Sequence, residues 1–269
     1  MCPKFLFNKY LNLLQVDEGE PTFERLKQIV KAHLIRIPFE NISKLLLKKE
    51  GKKYIPDILT YLQGIEKFNF GGTCYANNYY LYLLLQYLGY NIKLCGADMK
   101  NPDVHLISIV TIDQNEFIVD GGYAAPFLNP LPRDLTKDFE IRFGNEKYII
   151  KPKDEMGKTK VEQYYNGKLQ HWYTANPQSR KIEEFQKVIE DSYSDDAVFM
   201  NAVRITKYTE TGSLVLKNLY LTKTMNGKIF NKTFSLNEIP ALIEESFGIP
   251  SSLAKEAISC IKELKDIYD

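Results

Sequence analysis

The apolar pattern of this chain changes period once, at Gly89, and that switch limits the fold more than any composition figure does. Before it, Phe5, Leu6, Tyr10, Leu13 and Leu14 recur at helical spacing. Pro21-Thr22-Phe23-Glu24 opens a second helix, whose Leu26, Ile29, Val30 and Leu34 form one stripe ended by Pro38. Further helices are predicted from about Pro56 to Gln63 and from Cys74 to Leu88. After Gly89 come short β-branched runs, Ile92 to Ala97, His105 to Ile112 and Glu116 to Asp120. Asn101-Pro102-Asp103 and Asp113-Gln114-Asn115 supply turns between them. Strands are also expected at Phe139 to Arg142, Lys147 to Lys151, Lys160 to Tyr165, Asn201 to Tyr208 and Ser213 to Leu221. A helix near Ile182 to Glu190 interrupts them, and the C-terminus reads as helical. Helices first and strands afterwards is the order of an α+β fold, not of alternating βαβ units.

The totals exclude several classes of function. Lys and Arg number 35 against 34 Asp and Glu, a net charge of +1, so no broad field draws nucleic acid or anionic lipid. A local basic pocket for one anionic ligand remains compatible with that balance. The most apolar stretch, Tyr79 to Tyr90, is far shorter than the ~20 residues of a membrane span and reads as a buried helix. Met1 to Phe7 is interrupted by Asn8 and Lys9, so no secretory signal and a cytoplasmic location are expected. Four scattered cysteines, Cys2, Cys74, Cys95 and Cys260, are then expected to be reduced thiols. The three histidines, His33, His105 and His171, stand at no metal-ligand spacing, so no metal is expected. Lys151, Lys153, Lys158 and Lys160 read as a solvated face.

Phe70-Gly71-Gly72-Thr73-Cys74-Tyr75 stands apart from this background. A double glycine leads straight into a cysteine at the first turn of an apolar helix. Glycines allow close backbone approach, and the unpaired N–H groups of a helix start favour an anion. The thiolate, not the thiol, is the nucleophile. By itself the segment is equally a small buried cysteine at the start of a core helix. His105 opens one strand and Asp120 ends the next, before Gly121-Gly122. Singly these read as a satisfied strand-end histidine and a turn residue; together the three offer nucleophile, base and orienting group. Direct pairing of His105 with Asp120 would centre the hairpin turn on Ile112-Asp113, whereas the turn signal lies near Gln114. A bulge or slanted register would reconcile the two.

These motifs resemble the arylamine N-acetyltransferases over most of the chain. Pro21-Thr22, His33 and Ile37-Pro38-Phe39-Glu40-Asn41 resemble the family's N-terminal segment, and Gly71-Gly72-Thr73-Cys74 with Asn78 resembles its R-G-G-x-C-x-x-x-N motif. His105, Val110-Thr111-Ile112-Asp113 and Ile118-Val119-Asp120-x-Gly122-Tyr123 resemble its base and acid segments, at spacings of 31 and 15 residues. The resemblance implies a helical bundle over 1–89, an antiparallel β-barrel over 90–195 and an α/β lid over 196–269, with a papain-like Cys-His-Asp core. It implies Cys74, His105 and Asp120 as catalytic residues and acetyl-coenzyme A as donor. Arylamines, arylhydroxylamines or hydrazines are the implied acceptors, with Tyr123, Tyr75 and Phe39 as substrate contacts. A related amide synthase or thioester hydrolase would use the same triad, and a non-catalytic member would act as a binding protein.

Two departures favour that last alternative. The family's Arg before the double glycine is Phe70, and Ala76 stands where it places an acidic or amide residue. In the family that Arg pairs with the Glu matching Glu40. An unpaired buried carboxylate costs several kcal/mol or takes up a proton. Either Arg36 or Lys67 reaches Glu40, or Glu40 accepts N–H bonds from the nucleophile loop, which is the preferred expectation. Cys260 is expected in a core stripe with Leu253, Ala257 and Leu264, Cys95 packed within its strand, Cys2 exposed, and His33 in helix packing.

Overall fold

Separate stretches of chain combine into each of two compact units. One comprises Met1–His33 with Asn78–Phe185, the other Leu34–Asn77 with Gln186–Asp269. The structure, a computed structural model, describes residues 4–265; the expectation for Cys2 lies outside the described residues. Two of the boundaries fall inside helices, Phe23–Arg36 and Cys74–Tyr87.

The first unit is built on an eight-stranded antiparallel sheet. In spatial order its strands are Leu131–Pro132, Asn115–Val119, His105–Ile112, Asn91–Asp98, Lys168–Ala175, Thr159–Tyr165, Glu146–Ile150 and Phe139–Phe143. The sheet curls into a nearly closed barrel, and the fold class is α+β, as expected. Six consecutive residues from His105 are buried, so this strand is covered on both faces and reads as an unbroken apolar run. Helix Lys4–Leu14 buries Leu6, Phe7, Tyr10, Leu11 and Leu14 on one face. Strand Lys168–Ala175 was not expected. Its outer half is exposed and its alternation weak, yet Asn166 (φ 49°) and Gly167 (φ 79°) make the doubly left-handed turn typical of tight hairpins. The lysine run is ion-paired rather than merely solvated: Lys151 with Asp138, Lys153 with Asp134 and Glu116, and Lys160 with Glu162.

The second unit carries a five-stranded antiparallel sheet in the order Phe39–Glu40, Arg204–Tyr208, Gly212–Lys217, Tyr220–Met225, Lys228–Thr233. Helix Ile42–Lys49, hidden in a lysine-rich sequence, packs against Ser251–Ile258 and fully buries Ile42 and Leu45. Helix Ile58–Phe68 starts at Asp57, whose carboxylate accepts from Thr60 N–H at 3.0 Å, and stops at left-handed Asn69. Because the last helix ends at Ile258, Cys260 falls outside the expected stripe and is partly exposed. Among the described residues no helix is long and apolar enough to cross a membrane.

Candidate active site

In the first unit the hairpin register brings two of the expected residues together. Ser108 pairs with Val119 and Ile112 with Asn115, around left-handed Asp113 and Gln114. Continuing that register sets Asp120 opposite Ile107, diagonal to His105 on the same face, where long side chains reach each other. No bulge is needed. His105 Nε2 donates to Asp120 Oδ2 at 2.8 Å, and the side chains are 1% and 0% exposed.

Asp120 is held from three sides. Asn78 Nδ2 donates to its Oδ1 at 2.9 Å, and Gly122 N–H to the same oxygen at 3.0 Å. Burial alone would raise this carboxyl. The charge and hydrogen bond of His105, with the Asn78 and Gly122 donors, outweigh burial and hold it below the usual carboxylate range. Asn78 also donates to Leu106 O and accepts from Gly121 N–H at 2.7 Å. In the sequence Asn78 is only one letter of the motif. Its spacing of four from Cys74, one helical turn, was the signal for a structural link.

Aromatic rings surround the pair. Tyr123 lies 5.6 Å and Tyr173 5.2 Å from the His105 ring, centroid to centroid, and the two tyrosines meet edge-on at 4.9 Å. Burial first, then the Asp120 charge, pushes the Tyr173 phenol well above its ordinary value. Tyr123 Oη bonds His171 Nδ1 at 2.7 Å. His171, beside the only tryptophan, Trp172, is a minor cleft candidate in the sequence, whereas Tyr173 carries no signal there; the unexpected strand Lys168–Ala175 brings both to Tyr123. Burial, then the neighbouring His105 and Lys100 charges, lowers His171 to about 4. An unfolded histidine titrates near 6.5, so between those values the unfolded chain binds more protons. Stability should therefore fall as pH drops from about 6.5 towards 4. Thermal melting across that range should show a flatter acid limb in His171→Gln than in wild type.

Cys74, Tyr75 and Phe39 belong to the second unit. Cys74 opens helix Cys74–Tyr87 and is 9% exposed. The two glycines before it are needed for different reasons. A Cβ on Gly71 would stand 1.8 Å from Pro38 O, and Gly72 has φ +76°. Gly72 N–H donates to Glu40 Oε1 at 2.7 Å, and Gly72 O accepts from Glu40 N–H and Asn77 Nδ2, each at 3.0 Å. The loop into Cys74 is thus clamped through both backbone groups of one residue, Gly72. Phe39 pairs with Thr206 in its sheet and packs 5.5 Å from Phe199, whereas Tyr75 lies beneath the Lys44 ammonium.

Glu40 is buried and accepts N–H bonds from Gly72 and Ser43 as well as the Ser43 hydroxyl. The preferred alternative, N–H donors in place of the missing arginine, is what the structure contains. These bonds do not hold the carboxyl at its ordinary value, because burial outweighs them and its pKa is raised. Phe70 packs 5.4 Å from Phe68. Phe70→Arg brings a charge to an aromatic contact while Glu40 already has its donors, so it should cost about 1–3 kcal/mol. Melting and turnover measured together check this; a variant both more stable and more active would contradict it.

Among the described residues no three His, Cys, Asp or Glu side chains form a metal site. The first unit's nearly closed barrel carries the buried His-Asp pair, and the class of protein is an acyltransferase. The sequence profile described as N-acetyltransferase matches residues 22–256, and the chain belongs to the arylamine N-acetyltransferase family. It is 31% identical over 124 residues to arylamine N-acetyltransferase, pineal gland isozyme NAT-3, of Gallus gallus, covering 43% of this chain and 41% of that protein. It is 25% identical over 268 residues to arylamine N-acetyltransferase 1 of Oryctolagus cuniculus, covering 88% of this chain and 90% of that protein. The arylamine N-acetyltransferase of Mycobacterium marinum, solved in complex with CoA, shares its fold with a TM-score of 0.78 at 18% identity, over 94% and 98% of the two chains.

Proposed function

We propose that this protein transfers an acetyl group from acetyl-coenzyme A to an arylamine, arylhydroxylamine or hydrazine through an acetyl-cysteine on Cys74. The observation that carries the reading is the buried His105–Asp120 pair held by Asn78. Asn78 follows Cys74 by one turn on the same helix, and residues four apart share a helix face.

His105 Nε2 is engaged by Asp120, so Nδ1 is the atom that exchanges protons with the nucleophile. It takes the Cys74 proton, and the thiolate attacks the thioester carbonyl. Backbone N–H groups at the helix start receive the charge on the tetrahedral oxygen. Collapse forms the Cys74 thioester and expels coenzyme A, whose sulfur takes the proton back from the imidazolium. The amine then attacks the acetyl-enzyme and gives its proton to His105, and the thiolate departs as the amide forms. Asp120 keeps the ring in one tautomer and stabilises its positive form. Tyr123, Tyr75 and Phe39 contact the aromatic acceptor. A cytoplasmic location, where thiols are kept reduced, suits this chemistry.

Mass spectrometry after mixing with acetyl-coenzyme A alone should find one acetyl group, mapped to the Cys74 peptide and released by an arylamine. An unmodified Cys74 would support a binding role instead. An acetyl-enzyme discharged by water but by no amine would indicate a thioester hydrolase.

A further inference from the structure

A cavity of about 430 Å³ lies within the second unit, in the range of ~300–1,000 Å³ of small-molecule sites. Aromatic side chains of Tyr61, Phe68, Phe70, Tyr75 and Tyr193 line it, and Lys44 is its buried cation, 5% exposed. Gly72, Thr73, Tyr75 and Ala76 also line it, so it backs onto the turn that carries Cys74. Phe70 and Ala76 are the two positions at which the chain departs from the family pattern.

Lys44 has no carboxylate within ion-pair distance among the described residues. Its Nζ donates to Ser192 Oγ at 2.6 Å, and that hydroxyl donates on to Ile189 O at 2.6 Å. The ammonium otherwise stands over the rings of Tyr193 at 4.5 Å and Tyr75 at 5.8 Å. Burial lowers it to about 8, and a Cys74 thiolate would act in the opposite sense, so it remains a cation at neutral pH. A buried ammonium with one acceptor and two π faces is under-neutralised. Lys52 and Lys67, exposed on the same lining, leave it positive against Glu50 alone.

We infer that this cavity is a binding site for an aromatic carboxylate, whose ring stacks among Phe70, Tyr75 and Tyr193 while its carboxylate pairs with Lys44. The walls suit a flat π system, and a charge-assisted bond from a desolvated ammonium supplies the orientation. An aliphatic anion would forgo the stacking, and a neutral aromatic would leave the cation unpaired. The cavity shares Tyr75 with the proposed acceptor contacts, but the inference rests on Lys44 and its aromatic walls and does not depend on the acyl-transfer reading.

Isothermal titration with 2-naphthoate tests this, with 2-naphthamide and acetate as the neutral and non-aromatic controls. Wild type should bind one equivalent of 2-naphthoate, and both controls should bind about tenfold more weakly or not at all. Lys44→Met should lose the preference for naphthoate over naphthamide, whereas Lys52→Gln should keep it. A footprint of the unmutated protein covers the case in which Lys44→Met does not fold. In it, saturating 2-naphthoate should slow reductive methylation of Lys44 relative to Lys52. Absence of binding by wild type, equal binding of the amide, or methylation of Lys44 unchanged by the ligand would each overturn the inference.

Discussion

Asp120→Asn is expected to lower acetyl transfer by ~10⁴-fold while leaving the circular dichroism spectrum intact. The amide fills the same space but cannot satisfy the same partners. Asp120 accepts from three donors, His105 Nε2, Asn78 Nδ2 and Gly122 N–H. An asparagine offers one oxygen and one NH₂. If its oxygen faces His105, the NH₂ meets the donors of Asn78 and Gly122. If it flips, the NH₂ meets Nε2–H and drives the ring into the other tautomer, which puts the hydrogen on Nδ1 where the base must be empty. Either outcome also removes the negative charge that stabilises the imidazolium. Because Asp120 is depressed in the folded state, its contribution to stability is present above the ordinary carboxylate value and is lost as pH falls through the folded one. The variant should therefore also lose the part of the acid-melting limb below about pH 4 that Asp120 supplies. Turnover near that of wild type, in a folded variant, would reduce Asp120 to a turn residue.

Cys74→Ala should remove acetyl transfer to the limit of detection, a loss of at least ~10⁴-fold, since no other group can carry the acyl chain. The side chain is small and Ala leaves the helix start intact, so melting should change little. Alkylation makes the matching positive case. Iodoacetamide at pH 6–7 should label Cys74 first, while Cys95 stays inert, because burial pushes its thiol up to about 12 against the opposing pull of Lys93 and Arg133. Peptide mapping that found Cys95 or Cys260 modified ahead of Cys74 would contradict a triad built on Cys74.

Local pattern carried much of this molecule. Cys74 at a glycine-led helix start, the strand His105–Ile112 and the turn at Asp113-Gln114 all lie where periodicity and turn chemistry predicted them. These are short-range properties, set by backbone freedom at glycine and by alternating or helical apolar spacing. Helix Ile42–Lys49 is not legible in the sequence because its short apolar stripe is set among lysines. Strand Lys168–Ala175 is masked because half of it faces solvent; the Asn166-Gly167 pair is the one local sign of it.

The sequence alone determined the residue types of the chemistry, their order, and the two glycines before Cys74, since steric and dihedral limits act within a few bonds. Only the tertiary structure decided what those residues touch. Asn78 bonding to Asp120, Glu40 taking the Gly72 N–H where an arginine was missing, and His171 reaching Tyr123 join positions 42, 32 and 48 residues apart. Such pairings follow from sheet register and chain crossing, which no local propensity encodes. The buried Lys44 likewise reads as one more surface charge in the sequence, and becomes a desolvated cation only when Tyr75 and Tyr193 close over it.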